Sequence, residues 1–262
     1  MKFKGTYYKH QKGDRSLAAI AGTCARQSFV QVITNDASYY FKQTDKSIFS
    51  NEGILLNLQE NGHSISGAIQ YTAPTPLRYD IMGPFRFLPM QCRHTISSLH
   101  HHLRGSLTID GETLDFTGGT GYIEGDSGTS FPDRYTWLQC SDFPEKACVS
   151  VSIATIPFLG LHFTGCIGVV YFRGKEYRLT TYLGVKIIRC DETCIILQQK
   201  KLRLEIEAEP SPGHNLLAPQ NGKMTRTIRE RISCAARFRF YRDGVLLFDY
   251  HSANASAEHV GN

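Results

Sequence analysis

The 262-residue chain is 41% hydrophobic and 20% charged, a globular composition that suits one large all-β unit or two domains of about 130 residues each. Its net charge of +5 is modest and its Lys and Arg are scattered, so the concentrated basic stripe of a nucleic-acid reader is absent and no nucleic-acid partner is expected. No stretch approaches the roughly 18 consecutive apolar residues of a membrane-spanning helix.

Helical periodicity is nearly missing, and the 15 Phe and 13 Tyr against one Trp favour strands. The opening M-K-F-K-G-T-Y-Y-K-H is basic without an apolar run; no signal peptide is visible and a cytoplasmic protein is expected. Asn61-Gly62 lies between strand-like runs and predicts a tight hairpin, as do Asp110-Gly111, Asp243-Gly244 and, more weakly, Arg173-Gly174. From Tyr71 to Met90 the prolines at 74, 84 and 89, with Pro76, forbid a central strand, so this segment should cross a barrel mouth or form an edge. Within it, Asp80 sits amid Pro, Gly and aromatic residues, either as a substrate contact or as a buried partner of Arg78.

His100, His101 and His102 precede a strand-like run, in which alternation would send His100 and His102 to one face. A metal there would want a third ligand, His94 by parity, but no other spacing supports zinc, and no metal is expected. His100 is a candidate proton relay. Gly105 to Gly121 and Gly168 to Gly184 echo one another, with Gly at offsets of 6 and 16 and Thr at 12. The echo reads either as two similar hairpins of one sheet or as a duplicated barrel with one copy in each half.

Between Gly121 and Phe143 lie Glu124 and Asp126, spaced so that an extended strand puts both on one face, followed by the lone Trp137. Two close carboxyls raise the pKa of one of them, and burial adds to the effect. A carboxyl that keeps its proton beside an aromatic face suits protonation of an apolar substrate and shielding of the cation formed. A solvated turn has the same composition.

Further on, Val149-Val151-Ile153, Leu202-Leu204-Ile206 and Phe238-Phe240 alternate with small or charged residues, the period of strands with one apolar face. Arg226, Arg229 and Arg231 read as a solvated strand face. The eight cysteines include no C-x-x-C and read as reduced, mostly buried small hydrophobes. Residues from Ser252 onward read as a disordered tail. Many antiparallel strands with tight turns mean a barrel or a sandwich. No G-x-S-x-G, phosphate-binding glycine loop or H-E-x-x-H occurs, which removes the common hydrolase and nucleotide chemistries.

Residues 122–143 resemble the signature of the tocopherol cyclase family, roughly Y-x-E-K-N-W-G-x-x-F-P-x-x-W-F-W-V-Q-C-N-x-F. Tyr122, Glu124, Gly128, Phe131, Pro132, Trp137, Gln139, Cys140 and Phe143 match in order. The resemblance implies an all-β fold of two lipocalin-like antiparallel β-barrels packed together, similar to carotenoid hydratases, with residues 1–130 in one barrel, 131–251 in the other and 252–262 disordered. It also implies proton-initiated cyclisation of a prenylated hydroquinone or related isoprenoid, without cofactor. Glu124 or Asp126 would be the proton donor and His100 the relay and phenol base. Tyr122, Phe131, Trp137 and Asp80 would contact the substrate. The alternative is a non-catalytic carrier of an apolar isoprenoid, and either activity brings peripheral membrane contact into view. Gly125-Asp126-Ser127 replaces the family's Lys-Asn-Trp, and Tyr135 its next Trp. The chain is also much shorter than the plant enzymes.

Overall fold

A computed structural model describes residues 2–261 except 43, 45 and 159. The chain is all-β, 70% strand and 3% helix. One antiparallel sheet is built from β1 (Phe3–Lys12), β2 (Arg15–Cys24), β3 (Gln27–Thr34), β4 (Ser38–Phe41), β5 (Ile48–Ser50), β6 (Gly53–Glu60), β7 (His63–Thr72), β8 (Cys92–Ile109), β9 (Glu112–Asp115) and β10 (Thr120–Gly128). The other takes β11 (Tyr135–Cys140), β12 (Ala147–Phe158), β13 (Leu161–Phe172), β14 (Lys175–Thr180), β15 (Lys186–Cys190), β16 (Cys194–Gln199), β17 (Leu202–Ala208), β18 (His214–Gln220), β19 (Lys223–Arg242) and β20 (Val245–Val260).

The two sheets repeat one plan. The first runs β4-β3-β2-β1-β10-β8-β7-β6-β5 with β9 added to β8. The second runs β14-β13-β12-β11-β20-β19-β17-β16-β15 with β18 added to β19. In each, the first and last strands are neighbours and meanders lead away on either side. The echo between residues 105–121 and 168–184 therefore marks hairpins at different places in the plan, β8–β9 in one sheet and β13–β14 in the other.

Each sheet curls and buries one face against itself. Leu17, Val32, Leu56, Ile69, Leu107 and Ile123 pack inside the first, and Val149, Val151, Leu204, Ile206, Phe238 and Phe240 inside the second. The expected alternation of Leu204-Ile206 and Phe238-Phe240 thus points into a barrel interior. A third apolar cluster, with Tyr7, Tyr122, Trp137, Val169 and Ile228, lies between the two sheets. The expected hairpins form, with left-handed backbone at both central residues, as at Asn61 (φ 54°) and Gly62 (φ 82°). All eight cysteines are free.

Residues 73–91 form a strap that carries one short 3-10 turn, Gly83–Phe87, in agreement with the exclusion of a strand there. The second sheet holds it. Arg178 donates to Tyr79 O, Asp80 O and the Tyr182 hydroxyl, and Tyr182 donates to Ile81 O at 3.0 Å.

Two sequence expectations fail. The segment from Ser252 onward is the second half of β20, paired with both β11 and β19, and Ala255, Ser256 and Ala257 are buried. Its small residues let it lie close between two barrels, where a bulky strand would not fit; Asn262 lies outside the described residues. Arg231 does not lie on a solvated face either, for it is buried and donates to the carbonyls of Glu192 and Glu209.

Candidate functional site

Registered partners on antiparallel strands share a face, so pairing fixes what each sheet presents. On the first sheet Tyr7 of β1 stands beside Glu124 of β10, and Asp126 beside His94 of β8. On the second, Ser152, Trp137, Glu258 and Glu230 form one row across β12, β11, β20 and β19. The two faces meet. Trp137 Nε1 donates to Glu124 Oε2 at 3.1 Å, Tyr7 OH donates to Glu230 Oε1 at 2.5 Å, and the Tyr7 and Trp137 rings touch edge to face at 5.5 Å.

A cleft opens between the barrels at this junction. Its walls include Ile20, Phe29, Phe131 and Ile156, its edge Met82 and Phe85 of the strap, and its polar corner His94, Glu124, Asp126, Tyr135 and Glu258. About 160 Å³ is open to the centre of a water molecule. At Gly5 a Cβ would meet nothing within 4 Å, so that backbone fronts the open space.

Glu124 is the centre of the corner. Its Oε2 receives Tyr122 OH at 2.7 Å and Trp137 Nε1 at 3.1 Å, with His94 Nε2 at 3.4 Å. Among the described residues its Oε1 has no hydrogen-bond partner. Burial raises the Glu124 pKa to about 7; the His94 charge opposes this, Asp126 adds to it, and the hydrogen bonds from Tyr122 and Trp137 oppose it. The carboxyl therefore exchanges its proton near neutrality.

His94 lies between two carboxyls, with Nδ1 3.0 Å from Asp126 Oδ1. Burial would lower its pKa, but Glu124, Asp126 and the hydrogen bond to Asp126 outweigh burial and raise it to about 9. Glu230 is raised to about 7 by burial, against Tyr7 and Lys9. Glu258 is raised by burial and by Glu230, against the hydrogen bond from Tyr135. Two buried carboxyls, Glu124 and Glu230, and the half-buried Glu258 thus all have raised pKa values where the barrels meet.

The ligand atoms of His94, Glu124 and Asp126 all lie within 4.8 Å of one another, the one such set among the described residues that could hold a metal ion. Here the imidazolium of His94 supplies the positive charge between the two carboxyls. Both its nitrogens are occupied, so a metal would have to displace that proton.

The expected site residues separate into two groups. Glu124, Asp126, Trp137 and Phe131 line the cleft. Tyr122 is fully buried behind Glu124 and braces it, in contact with Ser150 at 3.0 Å, rather than touching the cleft. Asp80 is not in the cleft; it accepts Arg93 at 2.6 Å and caps the strap at Met82 N, so neither a substrate contact nor an Arg78 partner describes it. His100 is also elsewhere, against His102 and the strap residue Thr75. The two one-residue register shifts in β8 between Ile96 and His101 cancel in parity, so His100 keeps the face of His94, but six residues at about 3.3 Å each carry it well along the strand from the corner. Burial lowers the His100 pKa to about 4, which does not suit a base beside the cleft.

Glu230, Glu258, Tyr7 and Tyr135 were not singled out from the sequence as site residues. Nothing local marks the first pair, because each becomes an acid in an apolar setting only when the second sheet docks on the first.

No family model and no curated protein matches the chain. Among solved structures, CghA with Sch210972 aligns over 100% of this chain and 89% of its own at a TM-score of 0.59 and 8% identity. CghA alone gives 0.59 and 7%, over the same shares. An AttH candidate from Nitrosomonas europaea aligns over 99% and 91%, at 0.51 and 8%. These are lipocalin-like double-barrel proteins, and the chain has that fold. At such identities the likeness is one of fold alone.

Proposed function

We propose that the protein is a cofactor-independent proton-transfer enzyme that cyclises an apolar, unsaturated ligand, a prenylated hydroquinone or related isoprenoid, in the cleft between its barrels. The observation that carries this is Glu124, a buried carboxyl raised to about 7 at the edge of an apolar hollow, with every donor gathered on one oxygen. Donors on Oε2 leave Oε1 to carry the proton. They also stabilise the carboxylate that remains once the proton has gone.

In the step that follows, the Glu124 O–H bond breaks and a C–H bond forms on one alkene carbon, using the π pair. The other carbon becomes a tertiary cation against Trp137, where an aromatic face contributes about 0.5–2 kcal/mol. An oxygen of the same ligand closes on the cation, and its proton returns to Glu124. Asp126, ion-paired with His94, holds the imidazolium beside the carboxylate as it forms.

The size of the cleft limits the ligand. With about 160 Å³ of centre-accessible space, at about 10–15 Å³ of such space and about 30 Å³ of liquid per water, it holds roughly 320–480 Å³. That suits about twenty heavy atoms, so a longer prenyl chain would run out past the strap. Signature residues Glu124, Phe131 and Trp137 all line this cleft, which supports the tocopherol cyclase-like reading. CghA, of the same fold, has been solved with Sch210972.

Geranylhydroquinone is a suitable probe. The protein should convert it to an isomer of equal mass, and Glu124→Gln should abolish conversion while Trp137 fluorescence still reports binding. Conversion unchanged in Glu124→Gln refutes the acid assignment. Binding of the probe with no conversion by the unaltered protein makes it a carrier.

A further inference from the structure

The geometry points to a second ligand contact in this cleft: the Glu258 carboxyl, held by Tyr135, is the docking point for an oxygen at one end of an otherwise apolar ligand. The inference rests on the cleft being the ligand site, as proposed above, and it narrows the ligand from isoprenoids at large to those with an oxygenated head.

Most polar groups along the cleft are spent on the protein. The Gln31 amide is used by the Leu217 backbone, donating at 2.9 Å and accepting at 2.8 Å. Tyr7 donates to Glu230, Trp137 to Glu124, and both nitrogens of His94 face carboxyls. Tyr135 OH donates to Glu258 Oε2 at 2.5 Å. Among the described lining residues, three groups remain able to donate to a ligand: Glu124, the Ser152 hydroxyl and Glu258.

The surroundings of Glu258 raise its pKa and favour the neutral acid. Glu258 is half-buried in an apolar wall that desolvates it, it pairs in register with the acidic Glu230, and Glu124 and Asp126 add like charge. Tyr135 occupies Oε2 and leaves Oε1, among the described residues without a hydrogen-bond partner, to carry the proton. A neutral carboxyl in an apolar wall is a strong hydrogen-bond donor, and one left without a partner beside a ligand is unfavourable. A ligand oxygen satisfies it, whereas a pure hydrocarbon does not.

Position then couples the two acids. Glu258 stands opposite Trp137 in the β11–β20 pairing, while the Trp137 indole reaches Glu124. An oxygen on Glu258 and an alkene at Glu124 thus both lie beside the one indole. Ser152 flanks the same indole on its other side, from β12. The chemical class that fits is a phenol, quinone or ketone with an unsaturated apolar chain close to its oxygen.

Trp137 is the lone tryptophan and lines the cleft, so its fluorescence reads occupancy directly. Two probes of matched shape isolate the contact, geranylhydroquinone and geranylbenzene. The hydrocarbon is the more water-averse of the two, so apolar burial alone favours it. The unaltered protein should nevertheless bind the hydroquinone about tenfold more tightly. Glu258→Leu should erase that preference without weakening geranylbenzene. Glu258→Gln, which can still donate through its amide, should keep most of it, and Glu124→Gln should leave it intact.

Equal affinity for the two probes in the unaltered protein overturns the docking point and leaves the cleft reading standing, a comparison that requires no variant to fold. A preference that survives Glu258→Leu overturns it as well. Failure of both probes to bind removes the cleft reading and the docking point together. Loss of conversion in Glu124→Gln with the preference retained separates the acid from the docking residue.

Discussion

Replacing His94 by Gln removes the positive charge nearest Glu124 while keeping an amide that can still donate to Asp126. His94 Nε2 lies 3.4 Å from Glu124 Oε2. Two unit charges about 4 Å apart interact by about 4 kcal/mol at an effective dielectric near 20 and by about 1 kcal/mol in water. At about 1.36 kcal/mol per unit, loss of the imidazolium shifts the Glu124 pKa by roughly 1–3 units. The direction is upward, since His94 pulls that pKa down and the bared Asp126 charge pushes it further up. Trp137 offers a readout independent of turnover, because its indole N–H donates to this carboxyl. Emission of the unaltered protein should titrate with a midpoint near 7, and the midpoint of His94→Gln should lie roughly 1–3 units higher. Glu124→Gln should remove the transition and so identify its source. A midpoint that stays put or falls in His94→Gln refutes the electrostatic account of the corner. A midpoint near the usual carboxylate range in the unaltered protein would show that Glu124 is not shielded from water and end its role as a proton donor.

Gly5→Leu should close the cleft without distorting the barrel, because a Cβ at that position meets nothing within 4 Å. We expect at least a tenfold loss of geranylhydroquinone affinity by Trp137 fluorescence, with the urea midpoint unchanged or raised; normal binding would mean that the ligand sits elsewhere. Glu230 gives a stability prediction. Its folded pKa of about 7 exceeds the unfolded value near 4.5, so its contribution is complete below about pH 4.5 and is lost as pH rises through about 7. Relative to Glu230→Gln, the unaltered protein should lose about 1.4 kcal/mol per pH unit over that range, roughly 3 kcal/mol in all. The comparison with the variant is needed because His10 and His101, lowered to about 3 by burial, and His100, lowered to about 4, act in the opposite direction over the same range. Parallel urea midpoints for the two proteins between pH 5 and 7 would contradict the buried position of Glu230.

The sequence carried the strands, the hairpins and half of the corner, and the reason is locality. Alternation at Leu204-Ile206 and turn chemistry at Asn61-Gly62 are decided within a few residues, and both appear as expected. Glu124 and Asp126 share a face because i and i+2 always do on a strand, and Trp137 follows on the next strand. What failed depends on contacts far apart in sequence. His100 was grouped with His94 by counting residues, and the shared face holds because the two register shifts in β8 cancel, but six residues of strand keep the two histidines apart. The tail looked disordered for want of large apolar side chains. Yet Ala253, Ala255 and Ala257 alternate with Ser252, Asn254, Ser256 and Glu258, a period of two that marks a strand. Small residues were needed there because β20 lies against the first barrel, where the Lys9 ammonium donates to Asn254 O at 2.6 Å and Asn254 Nδ2 to Gly13 O at 2.7 Å. That seam accounts for the chemistry as well as the packing. Each barrel fills its own interior, so a hollow can exist only where the two outer faces meet imperfectly. Carboxyls from both chain halves have raised pKa values there because neither face alone could have desolvated them.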